Sequence, residues 1–320
     1  MAKDLKLSIV IPVYNVQSQL RICLDSIINQ SYKNREIIVI DDASTDDSPD
    51  IIKEYAEKYE DLKPVFLKEN HGVGYARNYG INISNGKYIG FVDGDDWIDV
   101  DYYHELLLSI EKNNSDIAVC GIITEYENSQ SCKLRYEYNL ENCINGNFAL
   151  KLLTKSENYG YYITPIVNNK IYNTEYLKRN HIIFNNNRSF QDDYFSFFAM
   201  LYAEKVELVP STNYHYYQRS NSTTHTFSKR LADDCINTLV QIRENLEKQM
   251  LLNVYEKEYY SYVERLLSSL LDMLIRKEPD IMIQKKYLHY IMSNLSKNFQ
   301  MNKIIDYLDN RRIFHFFGLT

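Results

Sequence analysis

Three carboxylates fall within four residues at Asp93, Asp95 and Asp96, with Gly94 between the first two, directly after a short apolar run. Charges this close repel one another unless a cation or hydrogen-bond donors offset them, and hard divalent ions prefer carboxylate and phosphate oxygens as ligands. The cluster therefore indicates a metal site. The alternative is a solvated acidic turn before a helix that begins near Asp99, because Asp and Gly are typical turn residues.

The elements that must position this cluster alternate in type along the first third of the chain. Apolar runs predict strands at Leu7–Val13, Glu36–Ile40, Pro64–Leu67 and Tyr88–Val92, and helical spacing predicts helices at Gln17–Gln30, Ser48–Tyr59 and Val73–Ile83. This alternation predicts a doubly wound parallel sheet, in which ligands gather at the carboxyl ends of the strands. We therefore expect Tyr14, Asp42 and Asp93 on one rim of the sheet.

The remainder of the chain divides into a mixed part and a helical part. The mixed part predicts a strand at Ile117–Ile123 and helices at Phe148–Leu153 and Asp193–Ala203, and the helical part predicts helices at Leu231–Met250, Tyr255–Leu274 and, after Pro279, to about Leu308. The expected organisation is a catalytic domain over residues 1–226, with halves 1–100 and 101–226, and an all-helical C-terminal module over residues 227–320.

Composition excludes several classes of protein. The 320 residues are 45% hydrophobic and 25% charged, with a formal net charge of -7, which is typical of a globular protein and argues against a nucleic-acid partner. The first apolar run, Leu7–Val13, is too short for a signal peptide or a membrane span, so we expect a cytoplasmic protein. Five scattered cysteines without a C-x-x-C pair predict reduced thiols.

Several segments resemble, in the same order along about residues 7–224, the family 2 inverting nucleotide-sugar glycosyltransferases of the bacterial surface-polysaccharide type. These segments are Ser8–Asn15, Val39–Asp46, Gly72–Asn78, Asp93–Asp95, Asn169–Tyr172 and Gln191–Phe195. The resemblance implies a GT-A fold, that is, a Rossmann-like, mostly parallel α/β sheet flanked by helices. The helical C-terminal module lies outside the common core of the family.

The resemblance also implies a donor site. It places Tyr14 against the nucleotide base, gives Asp42 a hydrogen bond to the edge of that base, for which uracil fits, and brings Arg77 to the base or the diphosphate. The alternatives are a core aromatic for Tyr14, a helix cap for Asp42 and a surface salt bridge for Arg77. The further donor-binding residues expected from the matched segments are Pro12, Asn15, Ser44, Asp93 and Gly94.

Within the acidic cluster, the resemblance implies that Asp93 meets the donor ribose, with a metal-bound water as a further partner, and that Asp95 ligates Mn²⁺ or Mg²⁺ directly. Such an ion stabilises the nucleoside diphosphate, which gains negative charge as it leaves. We expect Asp96 to support this site rather than to ligate the ion.

Transfer also needs a base that takes the proton of the acceptor hydroxyl. The family has a Glu-Asp-x-x-Phe pattern here, and aligning Phe195 makes Asp192 the base. Because Gln191 replaces the first acid, a register shifted by one residue makes Asp193 the alternative base. A second alternative is that both aspartates only cap the helix that follows.

Two further regions of the sequence have no assigned role. His215, Arg219 and His225 lie near the expected site, but isolated histidines are more often structural than metal ligands, so none is assigned. Residues 276–320 hold eight Lys or Arg against four acids and end in the apolar segment Ile313–Phe317. A basic segment with an apolar end can contact an anionic membrane peripherally. Packing within the chain or a homodimer is the favoured alternative, because the apolar stripe of a helix is usually buried in a core.

The sequence therefore predicts a metal-dependent enzyme that moves a sugar, from a UDP-hexose or UDP-N-acetylhexosamine, to a hydroxyl of a glycan or lipid-linked glycan. A sugar nucleotidyltransferase is the rival enzyme, but it needs a Gly-rich basic loop, whereas residues 14–18 contain neither Gly nor Lys. A nucleotide-sugar-binding module without turnover is the non-enzymatic rival, motivated by Gln191.

Overall fold

The computed structural model describes residues 7–126, 132–134, 143–218 and 227–299. Predictions that concern Arg219, His225 or the segment Ile313–Phe317 lie outside these residues. The same holds for the last third of the helix that was expected to end near Leu308.

Ten strands in the described residues form one mixed sheet. The strands are β1 (Leu7–Val13), β2 (Arg35–Asp41), β3 (Leu62–Phe66), β4 (Tyr88–Phe91), β5 (Trp97–Ile98), β6 (Ile117–Tyr126), β7 (Cys132–Leu134), β8 (Cys143–Asn145), β9 (Lys170–Asn173) and β10 (Lys205–Gln218). Their spatial order is β3-β2-β1-β4-β9-β6-β10-β5, with β7 paired to β6 and β8 paired to β10.

The first four strands in this order form the predicted parallel half of the sheet. β1 is parallel to both β2 and β4, and β2 is parallel to β3. In the second half β9 is antiparallel to β4 and β6, whereas β10 is parallel to β6. The α/β fold class with a helix-flanked sheet is thus confirmed, and the sheet becomes mixed beyond β4.

Ten helices accompany the strands in the described residues. They are α1 (Gln17–Ile28), α2 (Ser48–Lys58), α3 (Val73–Ile83), α4 (Tyr102–Lys112), α5 (Gly146–Thr154), α6 (Thr174–Arg179), α7 (Gln191–Tyr202), α8 (Lys229–Lys248), α9 (Glu256–Lys277) and α10 (Ile281–Asn298). In this part of the chain every helix is too short or too polar to cross a lipid bilayer.

The core lies on both faces of the parallel strands. All seven residues of β1 and all seven of β2 are buried. β1 is apolar except at Ser8, and β2 is apolar at its centre, over residues 37–40, as expected of strands covered on both faces. Helix α3 packs so closely on β1 that a Cβ atom at Gly80 would lie 2.4 Å from Cγ1 of Val10. Glycine is therefore needed at this position for the helix to approach the strand.

Contacts divide the chain into two compact units, residues 1–149 with 164–220, and residues 150–163 with 221–320. The first unit contains the sheet. In the second unit α8, α9 and α10 pack by apolar side chains, and the hydroxyl of Tyr259 donates to the carbonyl of Leu239 at 3.1 Å. Residues 150–163, which were expected in the second half of the catalytic domain, over residues 101–226, group with this helical unit.

Candidate active site

The loops that follow β1 and β2 are joined to each other at the rim of the sheet. Val13 and Asp41, the last residues of the two strands, are register partners. The backbone N–H of Asn15 donates to Oγ of Ser44 at 3.0 Å, and Oδ1 of Asn15 accepts from the N–H of Thr45 at 2.8 Å. The structure therefore brings the predicted donor residues Asn15 and Ser44 together as a brace between two loops.

Tyr14 stands at the open end of β1 with 48% of its surface exposed. The alternative that it is a core aromatic is wrong, because its ring is available to a planar ligand. Pro12 is buried within β1, and Gly94 lies against it: a Cβ atom at Gly94 would be 3.3 Å from the carbonyl oxygen of Pro12. Gly94 is therefore in close contact with the end of β1.

Asp42 is 3% exposed and holds the turn that leads into α3. Its Oδ1 accepts from the backbone N–H of His71 at 2.8 Å, and its Oδ2 accepts from that of Gly72 at 2.7 Å. The carboxylate thus fixes this turn, but it is not a helix N-cap, because Asp47 and Gly72 occupy the N-cap positions of α2 and α3. Each carboxylate oxygen can accept more than one hydrogen bond, so the contact of Asp42 with a nucleotide base stays a prediction.

Arg77, on α3, is 2% exposed and lies between two carboxylates. Its Nη1 donates to Oδ1 of Asp192 at 2.5 Å, and its Nη2 donates to Oδ1 of Asp93 at 2.7 Å. Nη2 also lies 3.3 Å from Oδ1 of Asn168. The alternative of a surface salt bridge is wrong because the guanidinium is buried, and its contact with the donor stays a prediction.

The three acids of the cluster occupy different environments. Asp96 is 1% exposed and accepts from the hydroxyl of Tyr214 at 2.5 Å and from the backbone N–H of Tyr217 at 2.8 Å. Burial, followed by the charges of Asp95 and Asp93, raises the pKa of Asp96 well above its ordinary value. Asp93 is 30% exposed and Asp95 is half-buried, so these two acids face the rim.

The acidic cluster fits a hard divalent ion by its chemistry. The repulsion that raises the pKa of Asp96 is the kind that a cation at Asp93 and Asp95 would offset. One oxygen of Asp93 is bound to Arg77, and no other described residue donates to the second oxygen. Within the described ranges no three His, Cys, Asp or Glu side chains are grouped so that they could hold an ion by themselves.

Asp192 lies in the first turn of α7, whose N-cap residue, Phe190, has a left-handed φ of 60°. Its side chain is 22% exposed. Burial raises the pKa of Asp192 above its ordinary value, while Arg77 opposes this shift. Asp193 is half-buried in the same turn, and the side-chain oxygen of Gln191 is buried without a partner in the described residues.

His215 lies between two carboxylates, and both of its ring nitrogens have partners within the chain. Its Nε2 lies 2.9 Å from Oδ1 of Asp99, and its Nδ1 lies 2.9 Å from Oε1 of Glu125. Its ring stacks on Trp97 with centroids 5.4 Å apart. Burial alone would lower the pKa of His215, but its hydrogen bonds to the two carboxylates outweigh burial and raise the pKa.

Comparison with protein families identifies the family to which this chain belongs. Residues 8–197 match the model described as Glycosyl transferase family 2, which is more than half of the chain. The chain belongs to glycosyltransferase family 2. It is accordingly a glycosyltransferase, and the matched range includes every predicted donor, metal and base residue.

Individual relatives agree with this assignment. The protein EpsH of Bacillus subtilis is 30% identical over 262 residues, which cover 80% of this chain and 73% of EpsH. The poly(ribitol-phosphate) beta-glucosyltransferase of Bacillus spizizenii is 33% identical over 222 residues, 66% of this chain and 32% of that protein. The structure of S. aureus TarS 1–349 in complex with UDP-GlcNAc superposes with a TM-score of 0.72 at 20% identity, over 95% of this chain and 84% of that one.

Two residues of this glycosyltransferase site were not singled out from the sequence. Asn168 connects Arg77 with Tyr214: its Oδ1 accepts from Nη2 of Arg77, and its Nδ2 donates to the hydroxyl of Tyr214 at 3.0 Å. Arg188 packs over Gly72 and donates from Nη2 to the carbonyl of Asn70 at 2.8 Å. Asn168 adjoins the matched segment that begins at Asn169, which is the signal that could have revealed it.

Proposed function

We propose that the chain is an inverting glycosyltransferase that transfers a sugar from a UDP-hexose or UDP-N-acetylhexosamine to a hydroxyl of a glycan or lipid-linked glycan during synthesis of a surface polysaccharide. The observation that carries the proposal is the convergence of Asp93 and Asp192 on one buried guanidinium, that of Arg77. A carboxylate of the predicted donor side and the predicted base thus contact the same side chain.

The donor assignment draws on the exposed ring of Tyr14 and on the relatives. TarS has been solved with UDP-GlcNAc, and the Bacillus spizizenii relative is a glucosyltransferase that acts on poly(ribitol-phosphate). A uracil base would stack on Tyr14, with Asp42 at its edge. A polymeric acceptor is consistent with the name of the Bacillus spizizenii relative.

Asp192 acts as general base in this proposal. As the acceptor oxygen bonds to the anomeric carbon, its proton passes to the carboxylate of Asp192. The bond from the anomeric carbon to the diphosphate oxygen breaks at the same time, and its electron pair leaves with the nucleoside diphosphate. One displacement from the opposite face inverts the anomeric configuration.

Asp95 and Asp93 would hold Mn²⁺ or Mg²⁺, which would supply positive charge to the leaving diphosphate. Asp96 contributes indirectly, because Tyr214 and Tyr217 bind its two oxygens and so fix the turn that carries Asp95. Peripheral membrane contact by the basic residues 276–320, and a homodimer, stay predictions, since the structure describes this segment only to Phe299.

A donor screen tests the proposal. Purified protein is incubated with UDP-, GDP-, dTDP- and CMP-sugars plus Mn²⁺, with and without chelator, and release of the nucleotide is followed. We expect slow release from one UDP-sugar that stops with chelator and in Asp95→Asn. Asp50→Asn is the control, because that side chain is 77% exposed on α2.

Two results would contradict the proposal. If the chelator does not change the rate of nucleotide release, the reaction does not depend on a metal ion. No release across the panel, together with no binding of UDP by calorimetry, would remove the donor site.

A further inference from the structure

Arg77 bears a positive charge at a buried position where two negative charges meet. Its contacts with Asp192 and Asp93, at 2.5 and 2.7 Å, use two different amino groups of one planar guanidinium. The residue is 2% exposed, whereas Asp192 is 22% exposed and Asp93 is 30% exposed. The two acids are therefore more accessible to solvent than the cation that they contact.

The guanidinium is itself held in place from several sides. Its carbon lies 5.3 Å from the centroid of the Phe184 ring, a cation–π contact. Asn168 contacts Nη2, and Asn168 is fixed in turn by Tyr102, whose hydroxyl donates to its carbonyl at 2.6 Å, and by Tyr214. Arg77 thus has little freedom to turn toward a ligand without breaking this set of contacts.

We propose that Arg77 is a positioning residue of the transfer reaction: its guanidinium fixes the carboxylate of Asp192 relative to that of Asp93, so that base and donor-side acid are aligned before either substrate binds. The inference rests on the proposed function, because that function makes Asp192 the base. It differs from the expectation that Arg77 contacts the base or diphosphate of the donor.

Charge and shape both suit Arg77 to this task. One cation faces two carboxylates, so the group retains a net negative charge toward the donor side, where a divalent ion would bind. Burial favours the neutral form of Asp192 and raises its pKa, whereas the guanidinium favours the ionised form that a base requires. A lysine would supply the charge but not the planar fork that reaches two carboxylates at once.

The test compares Arg77→Lys and Arg77→Met with the control Arg21→Lys, a surface residue 50% exposed that pairs with Glu54. Calorimetry measures the affinity for UDP with Mn²⁺, and the donor found by the screen is used to measure kcat and its pH profile. We expect Arg77→Lys to lower kcat on the order of 100-fold, the usual cost of a misplaced catalytic group, with the Kd for UDP changed less than about threefold. The acid limb of the pH profile should move to higher pH.

A second measurement does not need turnover. Carboxyl ¹³C NMR, with the Asp192 signal assigned by Asp192→Asn, follows the titration of this residue in wild type and in both variants. The midpoint should rise in Arg77→Met, and by less in Arg77→Lys, which retains a charge. If Arg77→Met does not fold, Arg77→Lys alone supplies the comparison.

The outcomes separate this inference from the proposed function. Absence of both nucleotide release and UDP binding in wild type contradicts the proposed function, while the NMR midpoint still decides whether Arg77 controls Asp192. A Kd for UDP raised about tenfold or more at unchanged kcat would make Arg77 a donor contact and overturn the inference. A lower melting temperature with kcat, Kd and the Asp192 midpoint unchanged would reduce Arg77 to a structural residue.

Discussion

The hydroxyl of Tyr214 donates a 2.5 Å hydrogen bond to Oδ2 of Asp96, across 118 positions of sequence. The same hydroxyl accepts from the backbone N–H of Asp93 at 3.2 Å. One side chain of β10 thus holds both ends of the acidic cluster, and the turn between them is anchored to the second half of the sheet.

Replacing Tyr214 by Phe should destabilise the protein. The substitution removes a donor from a buried carboxylate, and an unsatisfied buried group costs about 1–3 kcal/mol in the free energy of unfolding. Urea denaturation measures this loss. The control is Tyr75→Phe, since that ring is 42% exposed, and its change should stay within about 0.5 kcal/mol. Equal effects of the two substitutions would show that the hydroxyl of Tyr214 contributes nothing specific.

Asp192→Asn should lower kcat by about 10²–10⁴-fold, the usual contribution of a general base, because an amide cannot take the acceptor proton. Steady-state kinetics with the identified donor and acceptor measures the effect. Asp193→Asn is the matched control in the same turn of α7, and we expect a change of less than about fivefold, since it leaves the base in place. The opposite ranking would assign the base to Asp193.

His215→Gln should destabilise the protein more at about pH 5.5 than at about pH 9. The pKa of His215 is raised above its ordinary value of 6.5 by its two carboxylate partners, so the folded state binds the proton more tightly than the unfolded state. That stabilisation is complete below the unfolded pKa and is lost as pH rises through the folded pKa. Chemical denaturation at a series of pH values measures it.

The control for this pH dependence is His104→Gln, at an exposed position of α4.

The ion pair of His215 with Asp99 also weakens at low pH. The hydrogen bond with His215 lowers the pKa of Asp99 below its ordinary value of 3.8, so the pair is lost as pH falls through this lowered pKa. A difference between His215→Gln and wild type that stays constant from about pH 5.5 to 9 would contradict the charged-pair interpretation.

Gly80→Ala should destabilise the protein by about 1–3 kcal/mol, although alanine is the better helix former, because its methyl group would overlap Val10. Thermal and urea unfolding measure the change. In Gly80→Ala/Val10→Ala the overlap is relieved, so the double variant should lose less than the sum of the two single losses. Stabilisation by Gly80→Ala would mean that α3 and β1 are not in close contact.

The parts of the fold with strong local patterns were predictable from sequence. β1 and α3 have the predicted bounds, because continuous apolar runs and helical spacing specify buried strands and amphipathic helices. The acidic cluster also lies at the end of a strand of the parallel half, as expected from the run that precedes it.

The contacts that join the site could not be predicted from local pattern. The ion pair of Arg77 with Asp192 spans 115 positions, and neither residue has a neighbour in sequence that reveals the other. β9 has only four residues and pairs antiparallel with two strands, so its length carries little periodic signal. Burial of Arg77 was missed because an isolated arginine is usually a surface residue.

The position of β9 has a consequence for the order of folding. β4 and β6 are separated in the sheet by a strand that begins only at Lys170, about 80 residues after β4 ends. On a translating ribosome β3, β2, β1 and β4 can pair as soon as they emerge, whereas β6 must await a later segment before it joins them. The parallel half of the sheet is therefore expected to form first, and pulse-labelling hydrogen exchange during refolding should detect its protection before that of β6.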